Sequence, residues 1–265
     1  MCKHFQYNLS VSSIYQGLYQ IQKALYLKDI GDVMEAVLQV PWKLIVSDLP
    51  VFSVLAVWNL FVLLVLSKKV YESSLKKGRS INSSIYFSRK AIHFLAGGLT
   101  AMLLPFVAHE PILPAVMALG LALATYVPHK LNRRMYWFQD PENIYDVDFT
   151  LSWGLIVFFT WYIDRTFWLG VIPVLFMAYG DGITGIIRNL KYNKRTKAWE
   201  GTAGMLVLCI IIGAKMGAAG VLAGIVCSFV ERIENMDDNI TVPAVSLFIL
   251  LGAYYYFPSF TISLY

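Results

Sequence analysis

The chain has 265 residues, 57% of them hydrophobic and only 15% charged, where an ordinary soluble domain carries roughly 25% charged residues. Its mean hydropathy is +0.58 and its formal net charge +5. Those values exclude a disordered chain, a coiled coil, a secreted disulfide scaffold and a large soluble catalytic domain, and they predict an all-α, polytopic integral membrane helical bundle. In a membrane protein a basic balance belongs to loops that face anionic headgroups, so no nucleic-acid partner is expected.

Residues 1–43 read as an N-terminal interfacial segment. Within it, Leu27, Ile30, Val33, Met34, Val37 and Leu38 share one helical face, while Lys28, Asp29, Asp32 and Glu35 lie elsewhere. That pattern predicts an amphipathic helix lying on a membrane surface. Residues 44–265 read as the transmembrane domain. The apolar runs predict about eight spans (seven to nine), near 48–66, 91–108, 111–128, 149–163, 167–187, 202–214, 217–230 and 241–257.

Charge gives an independent check on that count. Eight spans divide the loops into two sets. Loops 67–90, 129–148, 188–201 and 231–240 carry seven, three, five and one Lys or Arg, sixteen of the chain's 22. The opposite turns carry Arg165 and Lys215. The positive-inside rule therefore assigns the first set to the cytoplasm. Cys209 and Cys227 sit in apolar runs and read as packing residues, and most of the seven Trp residues fall near span ends as an interfacial belt.

Four polar features stand out against this background. Asp181 lies between Gly180 and Gly182 at the end of the fifth predicted span, where an ionised carboxylate requires a partner, a cation or a wet cavity. Loop 188–201 holds Arg188, Lys191, Lys194, Arg195 and Lys197, then Glu200, Gly201 and Thr202 at the start of the next helix. A basic loop that ends at a helix N-terminus suits a polyphosphate. The segment from Glu231 to Asn239 carries Glu231, Glu234, Asp237 and Asp238, hard oxygen donors of the kind that bind Mg²⁺ (or Mn²⁺) together with substrate phosphates. Finally, Arg89, Lys90 and His93 open the second span, with Arg89 and His93 on one helical face. Taken singly, each feature has a plainer reading: a structural Asp–Lys pair, a headgroup-contacting loop, a solvated acidic loop, a core histidine. Under the charge-derived topology all four meet at one membrane face. A phosphate-binding loop and a metal-binding loop together are the equipment of phosphoryl or nucleotidyl transfer.

From Arg89 to Pro243 the chain resembles the polyprenol kinase family, which includes dolichol kinase, phytol kinase and related CTP-dependent lipid-alcohol kinases. Three elements carry the resemblance: Arg89-Lys90-x-x-His93; Gly180-Asp181-Gly182 followed by Lys197-Ala198-Trp199-Glu200-Gly201-Thr202; and Glu231 with Asp238-Asn239-Ile240-Thr241-Val242-Pro243. The family usually has Gly-Arg and a further Gly after the Gly-Asp segment, and Ser or Thr at the position of Ala198; this chain departs at both. The resemblance implies transfer of a phosphoryl group from CTP to the hydroxyl of a membrane isoprenoid alcohol. From the residue chemistry, Mg²⁺ is expected at Asp181, Glu231 and Asp238, and nucleotide binding at Arg89, Lys90, Lys194, Arg195, Lys197, Glu200, Gly201, Thr202 and Asn239. Asp181 or His93 would take the hydroxyl proton, Asp181 being favoured. Three alternatives stay open: a diacylglycerol kinase, a cytidylyltransferase making CDP-lipids, and an anion transporter.

Overall fold

A computed structural model describes residues 41–192, 196–233 and 236–265. The amphipathic helix expected within 1–43 lies outside them, apart from the last residues of that segment. The chain divides between Pro41 and Trp42 into two units, and the second contains every element described below.

That unit is all-α. α1 (Trp42–Lys76), α2 (Ile81–Val107), α3 (Ile112–Lys130), α4 (Tyr145–Trp161), α5 (Trp168–Tyr192), α6 (Trp199–Gly213), α7 (Gly217–Val230) and α8 (Asp238–Tyr256) follow in chain order. Among the described residues, six helical runs are long and apolar enough to cross a membrane: α1, α2, α3, α5, α8, and α6 with α7 as one run of 32 residues. These runs mark an integral membrane protein. α4, at 17 residues, is shorter than the other runs. The α6–α7 run is bent back on itself: Gly217 has φ +63°, open to glycine at little cost, and Gly213 meets Gly220 backbone to backbone. α6 and α7 therefore form a tight antiparallel hairpin of two short rods.

The helices outlast the apolar runs. Segment 67–90, expected as a loop, is helical over Ser67–Lys76 and again over Ile81–Ile92. The true turn is short. Gly78 takes φ +76°, and Ser80 caps α2 by accepting from the Ser83 N–H at 3.2 Å. Hydropathy marks where lipid ends, whereas a helix ends where its backbone finds a cap. α5 likewise runs on to Tyr192.

α5 occupies the centre. Its apolar window is 78% buried within the protein, against 22–39% for the other runs. Lipid-facing helices need apolar residues on their outer side as well, so low burial of an apolar helix is the signature of a bilayer boundary. Small residues let neighbours close on α5. Gly180 abuts Met205 and Cys209 of α6, and Gly182 abuts the Phe94 ring of α2.

Two widened, π-type turns face one another in this core, His93–Gly98 in α2 and Phe176–Gly180 in α5. Carbonyls of the first accept from two indoles, Trp58 Nε1 to Leu95 O at 2.7 Å and Trp153 Nε1 to Gly97 O at 3.1 Å. Such turns recur at functional sites because they re-aim the residues beside them. Here those residues are His93 and Asp181.

Candidate functional site

α2, α5, the α6 entry, the α7 exit and the α8 start converge at one end of the bundle. Asp181 opens the last segment of α5 and is buried. It accepts from Lys90 Nζ of α2 at 2.6 Å, and His93 Nδ1 lies 3.7 Å away. Thr184 donates to the Asp181 carbonyl at 2.7 Å. Lys90 reaches the pair under the ring of Tyr86, 5.0 Å from its centroid. His93 is buried, stacks on Phe149 at 4.1 Å, and its Nδ1 has no hydrogen-bond partner among the described residues.

Two turns further along the same face stands Arg188, also buried. Its guanidinium grips Glu231 with both ends, Nη1 to Oε1 at 2.6 Å and Nη2 to Oε2 at 2.9 Å. The remaining donors hold the next strand of the chain: Nε to the Ala198 carbonyl at 2.9 Å and Nη2 to Thr202 Oγ1 at 3.0 Å. Only glycine fits at 201, since a Cβ there would lie 2.4 Å from Arg188 Nε. Planar, two-point pairing of this kind is the strongest form of charge-assisted hydrogen bond.

Lys197 closes the cluster. Its ammonium donates to Glu231 Oε1 at 3.0 Å, to Asp238 Oδ2 at 2.9 Å and to the Glu231 carbonyl. Arg232 donates to the Lys197 carbonyl at 2.7 Å and stacks on Trp199, 3.7 Å from its centroid, tying the α7 exit to the α6 entry. Asp237 caps α8 by accepting from the Asn239 N–H at 2.9 Å, which sets Asp238 in the favourable first turn of that helix. Asn239 is buried and donates to the Tyr145 carbonyl at 3.1 Å; its Oδ1 has no partner among the described residues.

The outcome is a compact charged core. Asp181, Glu231 and Asp238 each offer a carboxylate oxygen, all within 4.8 Å of one another. They come from three separate segments, and Lys90, Arg188 and Lys197 face them. Three carboxylates against three cations leave the cluster near neutrality. Burying charges in this number costs several kcal/mol per ion, and each one here is offset by a partner of opposite sign.

Two cavities meet here. The polar one is lined by Tyr86, Arg89, Lys90, Asp181, Lys197 and Asp238, among others. The second is apolar and lies inside the bundle among α1, α2, α3 and α4, part of it open to the outside. Arg89 lines both, and His93 lines the apolar one. Arg89 also stacks on Tyr145, 5.0 Å from its centroid.

Of the sequence candidates, Arg89, Lys90, His93, Asp181, Lys197, Thr202, Glu231, Asp238 and Asn239 are gathered in or beside this cluster. Gly201 supports Arg188. Glu200 stands apart: it is partly exposed, paired with Lys191 and accepting from Tyr192 OH at 2.9 Å, and it does not line the polar cavity. Lys194 and Arg195 lie outside the described residues. Sequence reading did not single out Arg188, although Asp181, Thr184 and Arg188 follow the i, i+3, i+7 spacing of one helical face. Tyr86 and Tyr145 were also missed; neither stands in a charged motif. No protein-family model, curated protein or solved structure matches the chain.

Proposed function

We propose that the chain is a membrane lipid kinase that transfers the terminal phosphoryl group of a nucleoside triphosphate, CTP by the family resemblance, to the hydroxyl of an isoprenoid alcohol at the end of the bundle holding Asp181. The observation that carries this reading is the meeting of three carboxylates within 4.8 Å, three facing cations, and an apolar cavity that shares Arg89 with the polar one.

The residues divide the work. Arg89, Lys90 and Lys197 offer positive charge to phosphate oxygens; the lysines end on flexible stems and can move from a carboxylate to a phosphate. Arg188 stays fixed by its four hydrogen bonds and orients Glu231 and the α6 entry. Asp181, Glu231 and Asp238 are three hard oxygen donors close enough to share one ion, a set that fits Mg²⁺. Bound there, a divalent cation would offset triphosphate charge, the main lever in phosphoryl transfer.

In the transfer, the acceptor oxygen forms a bond to the terminal phosphorus, the bridging P–O bond breaks, and the nucleoside diphosphate leaves. The hydroxyl proton goes to a base. His93 suits that role better than Asp181, the sequence expectation. Asp181 is held by Lys90 within the carboxylate cluster, whereas His93 lines the apolar cavity and turns its Nδ1 to Asp181, which leaves Nε2 as the nitrogen to take the proton. Asp181, 3.7 Å from Nδ1, can stabilise the imidazolium that forms.

The test is a label-transfer assay on the purified full chain with Mg²⁺. γ-Labelled CTP, ATP, GTP and UTP are offered with farnesol, geranylgeraniol, phytol, a dolichol and diacylglycerol. Labelled prenyl monophosphate and released nucleoside diphosphate support the reading. Release of pyrophosphate with a nucleotidyl-lipid product replaces it with a cytidylyltransferase, and no labelled lipid from any pair removes it.

A further inference from the structure

The apolar cavity has a definite shape and chemistry. Arg89, His93 and Asp146 line its end beside the carboxylate cluster, which we term the mouth, and Asn59, Thr100 and Met117 line the far end, the floor. From His93 to Thr100 is seven residues of α2, and from Thr125 to Met117 eight residues of α3, so the cavity runs about 10–12 Å into the bundle at 1.5 Å per residue.

Below the mouth, the polar side chains in the wall are already engaged. Thr100 donates to Asn59 Oδ1 at 3.1 Å, and Asn59 lies 3.5 Å from Met117 Sδ. Thr125 and Thr150 bond back to carbonyls of their own helices, and Trp153 to the Gly97 carbonyl. An occupant therefore meets hydrocarbon along its length. Ester carbonyls carried into this space would lose their hydration without replacement, at a cost of roughly 1–3 kcal/mol each. The polar groups at the mouth are Arg89, His93 and Asp146, the last accepting from Gln139 Nε2 at 2.9 Å.

We infer that this cavity is the chain pocket of the acceptor and that it takes the hydroxyl-proximal stretch of a single-chain isoprenoid alcohol, with the hydroxyl at His93 and Met117 on the floor limiting how much chain is enclosed. The inference rests on the kinase reading for the fate of the hydroxyl, but the pocket can be tested without turnover. A two-chain lipid is disfavoured because its ester region would sit at depth. The remainder of a long chain leaves between helices into the bilayer.

The experiment uses the purified full chain in nanodiscs and a farnesol analogue carrying a diazirine on its chain. Photolysis followed by peptide mass spectrometry is expected to place the label on α1–α4 residues that line the cavity. Excess farnesol should remove at least nine-tenths of the label, and excess diacylglycerol should leave it. Met117→Trp, which raises the floor, should cut labelling at least fivefold and raise KM for geranylgeraniol at least tenfold with KM for the nucleotide unchanged. Met117→Ala, which deepens it, should keep labelling and shift preference towards longer alcohols. Label confined to outer helix faces, or equal competition by diacylglycerol, overturns the pocket even if kinase activity is present. Saturable label in the cavity with no phosphoryl transfer upholds the pocket and removes the kinase reading instead.

Discussion

The two ends of the bundle both bury carboxylates, but they satisfy them in different ways. At the end opposite the charged cluster, Asp48 accepts from the His109 backbone N–H at 2.7 Å and pairs with His109 Nδ1 at 2.7 Å. Glu110 accepts from the backbone N–H groups of Ile112 and Leu113 and so caps α3. Backbone donors cannot leave without unfolding the turn, so these carboxylates serve as staples. At the other end the partners are Lys90, Arg188 and Lys197, side chains drawn from other segments. Two of them can swing away, which frees the carboxylates for a ligand. Burial alone therefore does not single out a functional acid; the mobility of its partner does.

Substitutions at the two ends should separate these roles. The largest effect is expected from Asp181→Asn, which should lower phosphoryl transfer by about 10³-fold or more in the label-transfer assay, since it removes a charge facing both His93 and the proposed ion site. His93→Gln should follow, with a loss of about 10²–10⁴-fold, the usual weight of a general base. Its KM for the nucleotide should hold, because His93 faces the acceptor cavity.

Glu231→Ala should act on stability as much as on activity. It strands the buried Arg188 charge, at a cost of about 3–5 kcal/mol, read as a lower unfolding midpoint in detergent. Replacing both partners by apolar residues should recover part of that midpoint and none of the activity.

Effects at the opposite end should be small. Glu110→Gln keeps an acceptor for one of the two N–H groups, and its cost at neutral pH should be about 1 kcal/mol. Burial holds the Glu110 carboxyl above its ordinary value. The folded state thus binds its proton more tightly than the unfolded chain does. Its contribution to stability is greatest at low pH and is lost as pH rises through the folded value. The stability difference between wild type and Glu110→Gln should therefore change with pH in the acid range, and this is checked by unfolding midpoints from pH 4 to 7.

Much of the charged cluster was readable in the chain because polarity in an apolar sequence is conspicuous. Asp181, Glu231 and Asp238 stand out against their neighbours, and the Lys and Arg asymmetry between loops placed them together. Arg188 was harder to see: it sits in a run of basic residues, and only its register with Asp181 distinguishes it from Lys191. Glu200 shows the opposite case: it stands in a motif, yet on the first turn of α6 its side chain turns to Lys191 and Tyr192. The extension of α1 to Lys76 was hidden because hydropathy records lipid contact and not helix length. The widened turns at His93–Gly98 and Phe176–Gly180 follow no residue pattern, and the apolar cavity exists only once four helices pack around it.

The comparison between the two ends is tested most directly by a paired assay of Asp181→Asn and Asp48→Asn, each purified as the full chain and supplied with Mg²⁺, γ-labelled CTP and geranylgeraniol. Both substitutions remove one buried carboxylate charge from a membrane helix. Asp48→Asn should keep most of the wild-type transfer rate despite some loss of stability, while Asp181→Asn should lose nearly all of it at temperatures where both variants remain folded. Equal activity in the two variants, whether both are retained or both are lost, would contradict that comparison.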